Sequence, residues 1–537
     1  MSSLPAWEIT ALPMDQAEQV LQRARVQMAP PDYQLIEWSM RTLAQLQELL
    51  QHQDLSLRKL RRMLFGERTE KTHRVCGGQS SGGQGAGAAP APRPRPKGHG
   101  RHGARDYPGA QRVPVRHATL VPGDTCPGCG QGQMYRLSQP AQLLHLMAQP
   151  IFPATLYELE KLRCNRCGQV HTAPAPPEAG TQKYDLSVAS MLALLRYGTG
   201  VPFYRVARLQ RAFGVPLPDA TQWELVEALA RELAPVYQEL QRQAAQQPVL
   251  HNDDTSMRVL HLQVPVIADD TLEPAQAAKE RTGVFTSGIV ATGGAHTIAL
   301  YFTGRRHAGE NLDALLQHRD SNLPLPIQMC DGLSRNLPKE FATLLSNCVA
   351  HGRRQFVDIA AQFPVHCQQV LESLRQVYQH DAQAKAQGLS PQARLEFHQA
   401  HSRPVMDQLQ QWMQNQLDTK QVEPNSGLGQ AMNYLLKRWQ PLTLFLRQPG
   451  APLDNNICER ALKKAILHRK NSLCYKTEHG AEVGDLFMSL IHTCEYCGAN
   501  PFDYLNSLQR HLRQMQAHPE QWLPWNYQKN FPSEDTG

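Results

Sequence analysis

At Pro248 the hydrophobic period changes from helical to strand-like, and this change limits the chain's possible folds more than any other feature. Val249-Leu250-His251-Asn252-Asp253-Asp254-Thr255 is an apolar stretch that ends in carboxylates. Residues 284–292 and 297–303 read as two more strands around Gly293-Gly294, a hairpin signal. The uncharged run 283–304 that holds them is broken by glycine, serine and threonine, so it is not a membrane helix. A helix is expected from about Glu310 to His318. Leu325-Pro326-Ile327-Gln328-Met329-Cys330-Asp331-Gly332 then forms another apolar strand that ends in an acid. In the sheet this order builds, the first and fourth strands lie side by side, and Asp253 and Asp331 converge although 78 positions separate them.

Strand, hairpin, helix, strand is the opening of a ribonuclease-H-like sheet. A third acid follows in Leu453-Asp454-Asn455-Asn456-Ile457-Cys458-Glu459-Arg460-Ala461-Leu462-Lys463-Lys464, at a helix start. Asn456 and Glu459 share one helical face, with Lys463 a turn further on. Three carboxylates can hold two Mg²⁺ ions about 3.5 to 4 Å apart, an arrangement suited to phosphodiester chemistry. The bland alternative for Glu459 is a capping box with Asn456 as N-cap.

The 537 residues suffice for roughly three or four folded units. Hydrophobic residues make up 41% and charged residues 19%, a globular composition that excludes a collagenous or wholly disordered chain. The net charge of +7 is unevenly spread. Between Arg58 and Arg116 fourteen Lys/Arg face three Asp/Glu, a local excess of eleven that leaves the rest of the chain near −4. Such a concentration is the footprint of a polyanion-binding segment, most simply for nucleic acid. The N-terminus MSSLPAWEIT lacks a basic region followed by an apolar run, so no secretory signal and a cytoplasmic location are expected.

Ile36, Leu43, Leu50, Leu57 and Leu64 recur every seven residues, with Leu46 and Leu60 between them. This is a heptad seam that pairs two chains or packs one amphipathic helix on its own protein. The helix ends in Arg58, Lys59, Arg61 and Arg62. Beyond Cys76 the chain becomes Gly/Pro-rich and unable to build a core. Arg93, Arg95, Lys97, Arg101 and Arg105 in that arm suit phosphate contact without sequence reading.

Cys126-x2-Cys129 and Cys164-x2-Cys167 are two thiolate knuckles of the kind that form a tetrahedral, structural zinc site. The alternating segment from Gln142 to Arg163 is expected to form the hairpin joining them. Residues 186–245 are helical by pattern. Phe203–Phe213 forms a short helix, Gly214-Val215-Pro216 a turn, and Asp219 caps a second helix through Trp223, Val226 and Leu229. This resembles a helix-turn-helix with Arg205, Arg208 and Arg211 on one side, although any helical hairpin gives the same pattern.

With these segments in place, the chain resembles the DDE transposases of the insertion-sequence-66 group over nearly its whole length. The matching segments are LRRMLFGERTEK, CPGCG with LRCNRC, LHNDDT, CDGL, CVAHGRRQF, LDNNICERALKK, HRKNSLCYKTEHGAEVGDLFMSLI and GANPFDYL, in the family's order. The resemblance implies that Asp253, Asp331 and Glu459 are the catalytic triad, and that the protein cuts and joins DNA at the ends of a bacterial mobile element. DNA, small accessory proteins and a second copy through the N-terminal helix are the expected partners, and the location is near the nucleoid. The chain departs from the family in two places. Asn252-Asp253-Asp254-Thr255 replaces Ala-Asp-Glu-Thr, which leaves Asp254 as the alternative first acid, and Leu333 follows Asp-Gly in place of an aromatic. Cys348-Val349-Ala350-His351-Gly352-Arg353-Arg354 carries a Cys-x2-His pattern. There Arg353 and Arg354 meet phosphate, or the Cys and His are core residues.

The expected organisation is α/β. Residues 1–72 form the coiled-coil helix, 73–116 the basic linker, 117–175 the zinc ribbon and 176–246 the helix-turn-helix-like domain. Residues 247–360 and 446–490 form the ribonuclease-H-like domain, 361–445 a helical insertion and 491–537 a C-terminal segment. Other cysteines, with His366, are expected to be buried or incidental. Two competing readings are an inactive zinc-containing DNA-binding protein and a ribonuclease-H-like nuclease that cuts without joining.

Overall fold

The computed structural model describes residues 113–137, 151–262 and 283–530, except Cys164, Arg166, Gly168 and Thr181, together with Tyr33, Ile36 and Glu37. Tyr33, Ile36 and Glu37 are helical. The rest of the heptad seam and the basic positions Arg58, Lys59, Arg61, Arg62, Arg93, Arg95, Lys97, Arg101 and Arg105 lie outside the described residues. Among the described residues no helix is long and apolar enough to cross a membrane.

In chain order, a small hairpin of β1 (Lys161–Arg163) and β2 (Val170–Thr172) precedes three helices, α1 (Leu186–Ala193), α2 (Phe203–Ala212) and α3 (Asp219–Ala245). Next come β3 (Val249–Met257), β4 (Val259–His261), β5 (Val284–Thr292), β6 (Ile298–Gly304), α4 (Ala308–Leu316), β7 (Ile327–Cys330) and β8 (Leu344–Asn347). A helical block follows, α5 (Val349–Ile359), α6 (Pro364–Ala386), α7 (Pro391–Asp418) and α8 (Gly427–Lys437). The chain closes with α9 (Asn456–Ser472), β9 (Tyr475–Thr477), α10 (Glu478–Cys497), α11 (Pro501–Arg510) and α12 (Leu512–Ala517).

The main sheet has the order β6-β5-β3-β7-β8. β3 pairs antiparallel with β5 along its whole length, and β5 pairs antiparallel with β6. β7 lies parallel to β3, with Val249 opposite Ile327, and β8 lies parallel to β7. The first and fourth strands are therefore parallel neighbours over Val249–His251, and β3 does not stop at its carboxylates as expected but runs on to Met257. Val249 and Leu250 are consecutive on β3 and enter different cores, because successive side chains alternate across a strand. One core joins the sheet to α1–α4 and α9–α12, and the other to α5–α8. Leu250, Ile289 and Leu300 are almost fully buried, each contributing roughly 1.5 to 3 kcal/mol.

The open edge of β6 is closed by α10. The N–H groups of Ala299, Tyr301 and Thr303 donate to Thr493 Oγ1 (3.1 Å), Ser489 Oγ (3.0 Å) and Asp485 Oδ2 (2.5 Å). Acceptors four residues apart on a helix thus match every second N–H of a strand, which removes the template that an edge otherwise offers to another chain.

Two local expectations are corrected. Pro218, not Asp219, is the N-cap of α3, and Asp219 is the first helical residue, where its charge complements the positive end of the helix. α3 also runs 27 residues and buries Val226, Leu229, Leu233, Val236 and Leu240, so it is a core helix of the sheet as well as the second arm of a helical hairpin. Arg205, Arg208 and Arg211 on α2 are exposed. The hairpin expected from Gln142 to Arg163 lies outside the described residues up to 150, and in the remainder only Lys161–Arg163 is strand. That segment pairs with Val170–Thr172 across the second knuckle.

Within the helical block, α6 is bound to α7 through Asp381, which meets Arg394 (2.5 Å), Lys385 (2.7 Å) and His398 (3.3 Å). Burial alone would push the Asp381 carboxyl up, but the bonds from His398 and Lys385 and the charge of Arg394 outweigh it and hold the group well below its usual range. Ser402 lies 2.9 Å from His398 Nδ1 and is completely buried. This Ser-His-Asp arrangement faces no solvent and is a structural clamp.

Candidate active site

Asp253 lies near the middle of β3, opposite Gly288 of β5. Asp331 directly follows β7, where Asp331 Oδ1 accepts from Leu333 N (3.0 Å) and closes a tight turn. Gly332 in that turn has φ +83°, and a Cβ there would stand a tight 3.0 Å from Arg438 Nε. The positive φ is what glycine adopts at low cost. The amide of Asn336 joins the two acids, since its Nδ2 donates to Asp331 Oδ1 (2.7 Å) and contacts Asp253 Oδ1 (3.3 Å). Its backbone oxygen accepts from Asn252 Nδ2 and Gln328 Nε2, both at 2.7 Å, which locks the loop onto β3 and β7. Burial first, and then the charge of Asp331, push the Asp253 carboxyl up to about 7.

Asp254 has a different environment. Its carboxylate meets His307 Nδ1 (2.9 Å) and the guanidinium of Arg335 (Nη2, 3.0 Å).

Glu459 is carried by α9, whose start is pinned to β3. Asn455 Nδ2 donates to Asn252 O (3.1 Å), and Asn455 Oδ1 lies 3.2 Å from His251 Nδ1. Asn455 N contacts Cys348 Sγ at 3.2 Å. Cys458, the residue before Glu459, donates to Gly288 O at 3.3 Å, the register partner of Asp253. Burial raises the Cys458 thiol far above its ordinary range, and the charges of Asp253 and Glu459 add to the rise. The helix bearing the third acid is thereby fixed to the strand bearing the first. The capping-box alternative is not formed. Asn455 is the N-cap and Asn456 the first helical residue, so Glu459 falls one position beyond the place such a box requires. Its carboxylate instead faces His351 Nε2 at 3.7 Å.

Of the remaining candidates, Lys463 is exposed one turn beyond Glu459, and Arg354 is exposed and Arg353 half-buried on α5. Cys348 is buried at the start of α5. Sequence reasoning missed Asn336, Asn455 and the facing of His351 on Glu459. Asn455 stands beside the third acid in the sequence, but nothing in its spacing signals a tie to β3.

In the first knuckle, Cys126 N donates to Gly132 O (2.7 Å) and Gly130 N to Cys126 O (2.8 Å), with Thr125 bridged to Gln133. The N–H groups of Gln131 and Gly132 and the neighbouring Cys126 lower the Cys129 thiol. Cys167 is exposed at the tip of the β1–β2 hairpin. Cys164 lies outside the described residues.

The family described as "Transposase IS66 family" matches residues 183–483, a span that includes all three acids. The uncharacterized protein y4jD of Sinorhizobium fredii is 25% identical over 78% of this chain and 81% of its own length. The uncharacterized protein y4hP of the same organism is 23% identical over 76% and 74%.

Proposed function

The chain belongs to the Transposase IS66 family, and from that premise we propose that it cuts DNA at the ends of a bacterial insertion sequence and joins the freed ends to target DNA. The sheet order β6-β5-β3-β7-β8, three antiparallel strands followed by two parallel ones, supports a ribonuclease-H-like reading of the catalytic domain. The single observation that carries the proposal is the pairing of Asp253 with Asp331 through Asn336, with the helix of Glu459 tied to β3 beside them.

Asp253, Asp331 and Glu459 would hold two Mg²⁺ ions, which when bound supply activation of the attacking oxygen and stabilisation of the leaving one. The donor set fits. It consists of carboxylate oxygens, hard ligands suited to magnesium, and the close negative charges of Asp253 and Asp331 call for a cation. Asn336 orients the two aspartates, Asn455 sets the rotational phase of α9, and Lys463, Arg353 and Arg354 meet DNA phosphates. In the same reading Cys126, Cys129, Cys164 and Cys167 bind structural Zn²⁺. The basic segment grips DNA without reading it, the N-terminal helix pairs two copies, small accessory proteins assist, and the protein works at the nucleoid.

The test is cleavage of the element's own ends, followed by strand transfer from pre-nicked ends. Joined product is expected from the native chain, with cleavage lost in Asp253→Asn while DNA binding persists. Cleavage at the native rate in that variant overturns the assignment, and cleavage without any joining leaves only a nuclease.

A further inference from the structure

The described residues hold a second donor set of different chemistry, which shares Glu459. One ligand atom from each of Cys348, His351 and Glu459 falls within 4.8 Å of the others. His351 Nε2 and Glu459 Oε1 are 3.7 Å apart, beyond the ~2.7–3.2 Å of a hydrogen bond. Two ligands on one tetrahedral zinc, with bonds of about 2.0 to 2.2 Å, stand roughly 3.4 Å apart, so a shift of a few tenths of an ångström brings this pair into place, and Cys348 Sγ, within 4.8 Å of both, has up to about 1 Å to close. His351 Nδ1 is buried and has no hydrogen-bond partner. Cys348 Sγ sits at the N-terminal end of α5 with the N–H of Asn455 directed at it; burial outweighs that contact and pushes the thiol up to about 12, so a bound thiophilic ion is what would take its proton.

We propose that Cys348, His351 and Glu459 form a site for a thiophilic divalent ion of the zinc type, and that its occupancy takes Glu459 away from the two aspartates. Sulfur and imidazole donors select such an ion over magnesium. Binding releases the Cys348 thiol proton to solvent. The site stands on these three side chains alone, and only its inhibitory consequence rests on the DNA-cleavage reading.

The test uses the full chain, equilibrated with Zn²⁺ and freed of excess, with metal counted per chain in the native protein and in Cys348→Ser and His351→Gln. The native protein is expected to hold one more Zn²⁺ than either variant. Co²⁺ added to the native chain should give thiolate charge-transfer absorption that is weaker in Cys348→Ser. His351→Gln replaces a half-buried side chain, and its thermal midpoint identifies it as folded. Equal metal counts in all three folded proteins overturn the proposal, even if His351→Gln slows cleavage, since His351 then merely positions Glu459. In Mg²⁺-supported cleavage, added Zn²⁺ should slow the native protein at least tenfold, and the ratio of rates without and with Zn²⁺ should fall toward one in Cys348→Ser. Absence of cleavage in the native chain fails the transposase reading but leaves the metal count to judge this site.

Discussion

Asn336 is completely buried, yet both of its amide contacts go to carboxylates that it holds at a common point. Removing it leaves Asp253 and Asp331 to repel each other without a shared donor. Groups that orient metal ligands typically matter by about 10- to 100-fold in metal affinity or activity. Asn336→Ala is therefore expected to weaken Mg²⁺ binding and cleavage by about that factor while DNA binding persists, as a Mg²⁺ titration of the cleavage rate will show. Unchanged Mg²⁺ dependence contradicts the role. Asp331 was legible because it ends an apolar strand, and Asp253 because the apolar run 249–250 leads into it, although β3 itself continues to Met257. Asn336 was not, because a loop residue that acts by side-chain direction leaves no periodic trace. The choice between Asp253 and Asp254 was open for a related reason. The two differ in their neighbours, His307 and Arg335 on Asp254 against Asp331 beside Asp253, and no spacing rule contains that difference.

Among the elements, α10 shows how a helix can finish a sheet. Ser489 Oγ accepts from Tyr301 N within the core, so Ser489→Ala strands a buried N–H at a cost of about 1 to 3 kcal/mol. A thermal midpoint unchanged by that substitution contradicts the edge-closure account. α9 carries a different liability at its far end. His468 is buried between the rings of Tyr197 (5.9 Å) and Tyr475 (4.8 Å), and neither ring nitrogen has a partner. Burial, helped by the charge of Arg196, pushes it down to about 3. The folded protein keeps this imidazole neutral, whereas the unfolded chain takes up a proton below about 6.5. Stability is therefore lost as pH falls from about 6.5 toward 3. Asp485, raised to about 7 by burial, has the opposite sign and weakens the fold as pH rises from about 4 through 7. His468→Phe should remove a slope of about 1.4 kcal/mol per pH unit between pH 4 and 6. Denaturation midpoints across that range check it, and an unchanged slope contradicts the neutral, stacked histidine.

At the scale of the whole molecule, chemistry and charge are separated along the sequence. The carboxylates belong to the sheet and α9, while the positive excess lies between Arg58 and Arg116. If that segment neutralises phosphates, replacing Arg93, Arg95, Lys97, Arg101 and Arg105 with Gln should lower the slope of log affinity against log salt by up to about 0.9 for each phosphate no longer neutralised on duplex DNA. An unchanged slope assigns DNA binding elsewhere. The sheet was readable from its strand ends and from the hairpin at Gly293-Gly294, because period and turn chemistry are local. The sharing of one core by α3, β5 and α10 was not, since it depends on which amphipathic faces meet across hundreds of positions. The same limit hid the proximity of Cys348 and His351 to Glu459.

The central claim is that Asp253, Asp331 and Glu459 serve one metal-bearing pocket, and anomalous scattering from crystals of the full chain with Mn²⁺ and element-end DNA tests it most directly. Two peaks about 3.5 to 4 Å apart, in contact with all three carboxylates, are the predicted result. Peaks that leave any of the three acids without a metal contact would contradict it.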